Sequence, residues 1–124
     1  MILCDTNILI EFYKGNSGII QELEHVGLSN LSISVITAGE LYFGARDKRE
    51  LNQMKKHLSL LNQISLDAEI SERFLALLGE YALSHKLSVP DALIAATALS
   101  RNIPLYTLNI KDFQFIPNLE LHKA

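Results

Sequence analysis

The sequence predicts a single α/β domain spanning residues 1–124, with a mainly parallel central sheet flanked by helices. Three observations carry this. Apolar strand-like segments alternate with helical ones along the whole chain. No two strand candidates are joined by a hairpin-length turn before the last pair, so the chain must cross over between parallel strands, with the right-handed sense such crossovers take. The length of 124 residues suits one domain with one core.

The first element is an apolar run, Ile2–Cys4, ending abruptly at Asp5, which predicts a buried strand in the middle of the sheet. Thr6–Tyr13 follows as a short helix, with Ile8, Leu9 and Phe12 on one side and the turn residues 15–18 as its stop. Residues 19–26 make a second helix, closed by Gly27 in the position favoured after a carboxyl-terminal cap. Residues 31–36 alternate apolar and polar, the period of a strand. Thr37 and Glu40 then have capping-box spacing, predicting a helix from Thr37 to about Arg46. Residues 50–63 carry Leu51, Met54, Leu58 and Leu61 at helical spacing, with Lys55, Lys56 and His57 on the other face. A short strand at 64–66 and a long helix at 68–85 come next. Ser88, Pro90 and Asp91 start a nearly all-apolar, alanine-rich helix that exits at Asn102. Residues 104–108 and 119–121 are the remaining strand candidates.

Composition excludes several classes. Hydrophobic residues at 48% and charged residues at 20% form a globular balance and argue against a disordered chain. Eleven basic against fourteen acidic residues give a net charge of −3, the wrong sign for gripping nucleic acid by bulk charge. The single cysteine, Cys4, cannot form an intrachain disulfide, and no Cys/His cluster has zinc-ligand spacing, so a reducing cytoplasm is expected. The amino terminus has no signal-peptide pattern, and no apolar run approaches the roughly 18 residues of a membrane span.

In parallel sheets ligands bind beyond the carboxyl ends of the strands, where the strand order reverses. Asp5 follows the first strand candidate, Glu40 the second, and Asn109 and Asp112 the strand at 104–108, while Asp91 opens the helix that feeds it. Taken singly, Asp5 reads as a cap, Glu40 as half of a capping box, Asp91 as a first-turn carboxylate and Asn109 with Asp112 as turn chemistry. Independent caps have no reason to share one rim. Carboxylates brought together repel and raise one another's pKa unless a cation neutralises them. Oxygen donors without Cys or His select Mg²⁺ or Mn²⁺, and the chemistry implied is metal-assisted phosphodiester hydrolysis.

The segments MILCDTNILIEFY, SVITAGELYFG, SVPDALIAATAL and LYTLNIKDF, in this order over almost the whole chain, resemble PIN domains, specifically the short VapC-type toxins. The resemblance implies a parallel sheet between helices and Mg²⁺- or Mn²⁺-dependent cleavage of RNA. It implies Asp5, Glu40 and Asp91 as metal ligands and Asn109 as the fourth catalytic position, with Thr107 beside it. It also implies a cognate antitoxin and a homodimer, for which residues 8–12 and 41–43 are candidate contact surfaces. Asn109 departs from the fully acidic pattern, since an amide adds no charge, and leaves one-metal and two-metal sites open, with Asp112 as a substitute. Asn7 is expected to orient Asp5, and Thr6 and Thr37 to hold carboxylates or water.

Two other readings stand beside this one. A PIN-fold binding module without activity is kept open by Asn109. A phosphatase or phosphorylated receiver would need a second acid beside Asp5, which Thr6 and Asn7 do not supply. Arg46, Lys48, Arg49, Lys55 and Lys56 form a locally basic stretch that reads as a solvated helix face or as a guide for RNA or an acidic partner segment. No histidine is expected to act as a general base, and Cys4 is expected to be a small buried hydrophobe. Phe12, Tyr13, Tyr42 and Phe43 read as core or interface rather than base-stacking groups.

Overall fold

Four short strands carry the architecture: β1 (Ile2–Cys4), β2 (Leu31–Ser34), β3 (Asn62–Ile64) and β4 (Leu105–Tyr106). In the computed structural model, which describes residues 1–124, they lie in the order β3-β2-β1-β4. All strand pairings are parallel, with Leu3 level with Ser32 on one side and Leu105 on the other. The helices are α1 (Thr6–Tyr13), α2 (Ser17–Val26), α3 (Val35–Phe43), α4 (Lys48–Leu58), α5 (Ala68–Tyr81) and α6 (Val89–Arg101). The chain steps outward from β1 to β2 to β3, then returns to lay β4 on the opposite side of β1. The order therefore reverses at β1, and in open parallel sheets ligands bind beyond the carboxyl end of the strand at such a reversal.

The apolar run of β1 is buried throughout because it sits centrally with both faces covered. Ile2 and Cys4 face a core built with α1, α2, α3 and α4, through Ile8, Leu9, Leu23, Ala38, Leu41 and Leu58. Leu3 and Leu105 face the other core, with Ala92, Ile94, Ala95 and Ala98 of α6, and α5 packs outside through Phe74, Leu77, Leu78 and Tyr81. Small side chains along α6 suit close helix–sheet packing, and the buried Thr97 hydroxyl is satisfied by donating to the Leu93 carbonyl at 2.8 Å.

Several boundaries differ from the sequence expectations, each for a local reason. The alternation in β2 implied one solvent face, but Ser32 and Ser34 are both 0% exposed because the second face is covered as well. The strand ends at Ser34, whose Oγ accepts the Ile36 N–H at 3.1 Å and starts α3 at Val35. Ser34 thus takes the cap position before Thr37 can, and the expected Thr37–Glu40 capping box does not form. Thr37 is buried one turn into the helix and Glu40 lies well inside it. The expected strand at 64–66 is shifted to Asn62–Ile64, an edge strand whose exposure weakens its hydrophobic signal. Asp47 and Asp67 cap α4 and α5 through the N–H groups of Glu50 and Ile70, both at 2.8 Å, and both helices stop before the ends that periodicity suggested. Gly27, at φ +91°, and Asn102, in the left-handed conformation, end α2 and α6 as expected. The segment at 119–121 adds one parallel bridge, Leu105 to Leu121, and no hairpin.

Ile8, Leu9 and Leu41 are buried in the core, so the expected contact surfaces at 8–12 and 41–43 reduce to exposed Ile10 and Phe43. Leu3 lies at the centre of the sheet and Leu75 on the exposed side of α5. Leu3→Ala is expected to destabilise the fold by about 2–5 kcal/mol, and Leu75→Ala by less than about 0.5 kcal/mol, in urea denaturation. Equal midpoints for the two variants would contradict this account of the core.

Candidate active site

The parallel pairing of β1 with β4 continues one residue past both strands. The Asp5 N–H donates to the Tyr106 carbonyl at 2.9 Å, which sets Asp5 beside Thr107. Asp5 is 4% exposed. One carboxylate oxygen, Oδ1, accepts the Thr6 N–H at 2.7 Å, so Asp5 also caps α1. The other, Oδ2, accepts the Thr107 hydroxyl at 2.8 Å. Burial pushes the Asp5 pKa up, the bonds from Thr107 and Thr6 pull it down, and the charges of Glu40 and Asp112 push it up again.

Thr6 joins the second acid to the first. Its hydroxyl donates to Glu40 Oε1 at 2.7 Å and stands 3.1 Å from the Thr37 hydroxyl. Thr6 has one proton and gives it to Glu40, so Thr37 donates in the pair with Thr6. Thr37 therefore holds Thr6 in place from inside α3, and Glu40 reaches the rim from the body of that helix.

Asp91 stands in the first turn of α6, where its N–H donates to Ser88 Oγ at 3.2 Å. Its pKa is pushed up to about 6, chiefly by burial, then by the charges of Asp5 and Asp112, with Ser88 opposing and Glu40 adding a smaller push. Every charge acting on Asp5 and Asp91 in this way is another carboxylate. Asp112 belongs to this acidic group, at the end of a 3₁₀ turn spanning Ile110–Asp112.

Asn109 and Asn7 both bond Thr107. The side chain of Asn109 makes no capping bond, and the residue joins the site through its backbone N–H, which donates to Thr107 Oγ1 at 3.0 Å. Asn7 touches Thr107 rather than Asp5. Its Nδ2 donates to Thr107 Oγ1 at 3.4 Å, and its Oδ1 accepts the Leu108 N–H at 3.3 Å. Asn7 thus anchors the loop after β4, and orients Asp5 only through Thr107.

The donor set consists of hard oxygens, with no thiolate available. Cys4 is fully buried and its thiol is pushed up to about 12 by burial and by Asp5, so it stays neutral. Asp5 acts on Asp91 electrostatically, and Glu40 and Asp112 act on both, so the charged donors of the rim are all carboxylates. This suits a cation that keeps much of its water shell and takes one or two carboxylates, as Mg²⁺ does. The residues present therefore fit a hard divalent ion.

The basic stretch is divided by its own contacts. Arg46 is taken up by Glu50, with Nε and Nη2 both 2.9 Å from Oε2, and Lys55 lies over the Tyr42 ring at 5.9 Å. Lys48, Arg49 and Lys56 are exposed. His57, expected on the polar face of its helix, instead packs inward. It stacks on Phe12 with centroids 5.3 Å apart, and its Nδ1 is 2.9 Å from the Tyr13 hydroxyl. That contact links residues 44 apart and had no local signal in the sequence.

Comparison with known proteins agrees with this architecture. Residues 2–115 match the PIN domain family. Ribonuclease VapC2 of Rickettsia felis is 35% identical over 128 residues, covering 96% of this chain and 94% of that protein. The tRNA(fMet)-specific endonuclease VapC of Salmonella typhimurium is 28% identical, covering 96% of this chain and 94% of that protein. Among solved structures, a toxin-antitoxin complex from Klebsiella pneumoniae contains a chain with a TM-score of 0.83 and 39% identity, covering 96% of this chain and 95% of that one.

A carboxyl whose pKa is raised by folding favours the folded state while protonated and disfavours it once ionised. For Asp91 the change spans the interval from the ordinary aspartate value up to about 6. In EDTA, Asp91→Asn is expected to be more stable than wild type near pH 7, with the advantage shrinking as pH falls through that interval. Urea midpoints across the range measure the difference, and a pH-independent gap would contradict the raised pKa.

Proposed function

The chain belongs to the PIN-domain family, of VapC type, and from that premise we propose that it is the endoribonuclease toxin of a toxin–antitoxin pair. Its activity depends on a divalent metal, which we assign as Mg²⁺, with Mn²⁺ able to substitute, held at the rim of Asp5, Glu40 and Asp91 by one or two of these carboxylates directly and by the rest through its water shell. The observation that carries this reading is the buried Asp5 carboxylate, oriented by Thr6 and Thr107 and surrounded electrostatically by carboxylates alone. When bound there, a hard divalent cation supplies Lewis acidity toward a scissile phosphate and offsets the local negative charge.

The chain's own residues do the positioning. Thr107 and the Thr6 N–H fix both Asp5 oxygens, while the Thr6 hydroxyl, held by Thr37, aims Glu40 at the same rim. Asn7 and the Asn109 N–H both bond Thr107 and so keep its loop in register with β1. Asp112 supports an active enzyme over an inactive binding module, because its charge acts on Asp5 and Asp91 and makes up for the neutral Asn109. Lys48, Arg49 and Lys56 remain free to meet RNA phosphates or an acidic antitoxin segment, with Lys55 beside them, and Arg46 is held by Glu50. No helix is long and apolar enough to cross a membrane, and a cytoplasmic site of action fits the reduced, buried Cys4.

The test uses purified protein with a transfer RNA and a messenger RNA. Cleavage is expected with Mg²⁺ or Mn²⁺ and none with EDTA. Outer-shell partners of metal sites contribute about 10- to 100-fold, so Thr107→Val should lose that much and Asp5→Asn at least about 100-fold. Cleavage in EDTA, or full activity in Asp5→Asn, would refute the mechanism.

A further inference from the structure

Beside Glu40 an open cavity of about 400 Å³ runs along α3, lined by Val35, Ile36, Gly39, Glu40 and Phe43. Phe43 is 94% exposed, so neither the core nor the helices around it use its ring. Val35, Gly39 and Phe43 follow one another at four-residue spacing and share one face of the helix. Gly39 leaves the middle of that face bare, and a Cβ built there meets nothing within 4 Å. Together these residues form a flat apolar strip, ending in an aromatic ring one turn from a candidate catalytic carboxylate.

The chemistry of the strip selects among occupants. It contains no cation, and its one charged member is Glu40, so a phosphate would be repelled. A nucleobase is uncharged and planar, and unstacked RNA bases are commonly received by aromatic rings. A second copy of the chain is a poorer fit. A stable interface needs about 800 Å² per partner, whereas an aromatic side chain contributes about 150–250 Å², and Phe43, Val35 and the half-buried Ile36 are the large apolar groups showing here.

We propose that Phe43 and the bare backbone at Gly39 form a stacking platform for one unpaired base of the RNA, next to the phosphate presented to the acidic site. The proposal rests on the endoribonuclease reading above and adds the substrate feature recognised: a splayed base beside the cleavage point. Phe43 is then a positioning residue for substrate.

The test is binding and cleavage of a single-stranded oligoribonucleotide. Binding is read by fluorescence anisotropy in EDTA, and cleavage with Mg²⁺ gives kcat and KM separately. Phe43→Ala and Phe43→Leu should each weaken binding and raise KM about tenfold with kcat unchanged, while Phe43→Trp retains both. Gly39→Leu, which has room in the fold and adds helix propensity, should leave the melting temperature at or above wild type yet weaken binding similarly. Unchanged binding and KM in Phe43→Ala and Phe43→Leu would overturn the platform even if wild type cleaves RNA. A loss of oligomeric mass in Phe43→Ala with RNA binding unchanged would also overturn it, assigning the strip to a protein contact. A wild-type protein that cleaves no RNA with either metal would instead sink the enzymatic reading, and the platform with it.

Discussion

The arrangement of the acidic rim depends on one buried carboxylate whose two oxygens are held from opposite directions. Burial alone would favour the neutral form of Asp5, and the neighbouring charges of Glu40 and Asp112 act the same way. Bonds from the Thr107 hydroxyl and the Thr6 N–H oppose them. A hydrogen bond to a charged group is worth about 1.5–3 kcal/mol, a considerable share of the roughly 5–15 kcal/mol that holds a domain folded. No cationic side chain is among the charges acting on Asp5 and Asp91. Asp91 is pushed up to about 6, first by burial and then by the charges of Asp5 and Asp112.

The sheet topology makes that carboxylate possible. Ile2–Cys4 is apolar on both faces and takes the centre, and the return of the chain to the far side of β1 brings β4 alongside it. Once Asp5 N–H bonds the Tyr106 carbonyl, Thr107 must fall next to Asp5, although the two are 102 positions apart. The alanines of α6 let it pack closely on β1 and β4, and α6 carries Asp91 in its first turn. The same hydroxyl network that orders Asp5 also passes through Thr6 to Glu40, so the two acids are mechanically one unit.

Much of this was legible because its signals are local. The continuous apolar β1, the exit at Asn102, the Ser88 start of α6 and the acids following the strands all show within a few residues. The misreadings came where two local signals competed or where a contact was distant. Ser34 and Thr37 are both good caps, and Ser34 prevails because the strand stops there, which sends Thr37 inward to Thr6. Asn7 looked like a partner of its neighbour Asp5 and in fact grips the loop after β4. The inward turn of His57 depends on Phe12 and Tyr13 in another helix, and no periodicity within α4 reports it. Phe43 reads as core or interface, and the structure removes the first of these by ending the helix with its ring in solvent. The match of residues 2–115 to the PIN domain family agrees with what the strand and helix order already indicated.

The central claim is that the rim is a cation site organised by Asp5, and titration calorimetry with Mn²⁺ near pH 6 tests it without reference to any substrate. Wild type is expected to bind the ion and to release protons as it does so, because the cation displaces the proton that burial and neighbouring charges keep on part of the Asp91 population near that pH. Asp5→Asn should lose most of that binding. Equal affinity in Asp5→Asn, or binding with no proton release, would contradict the account.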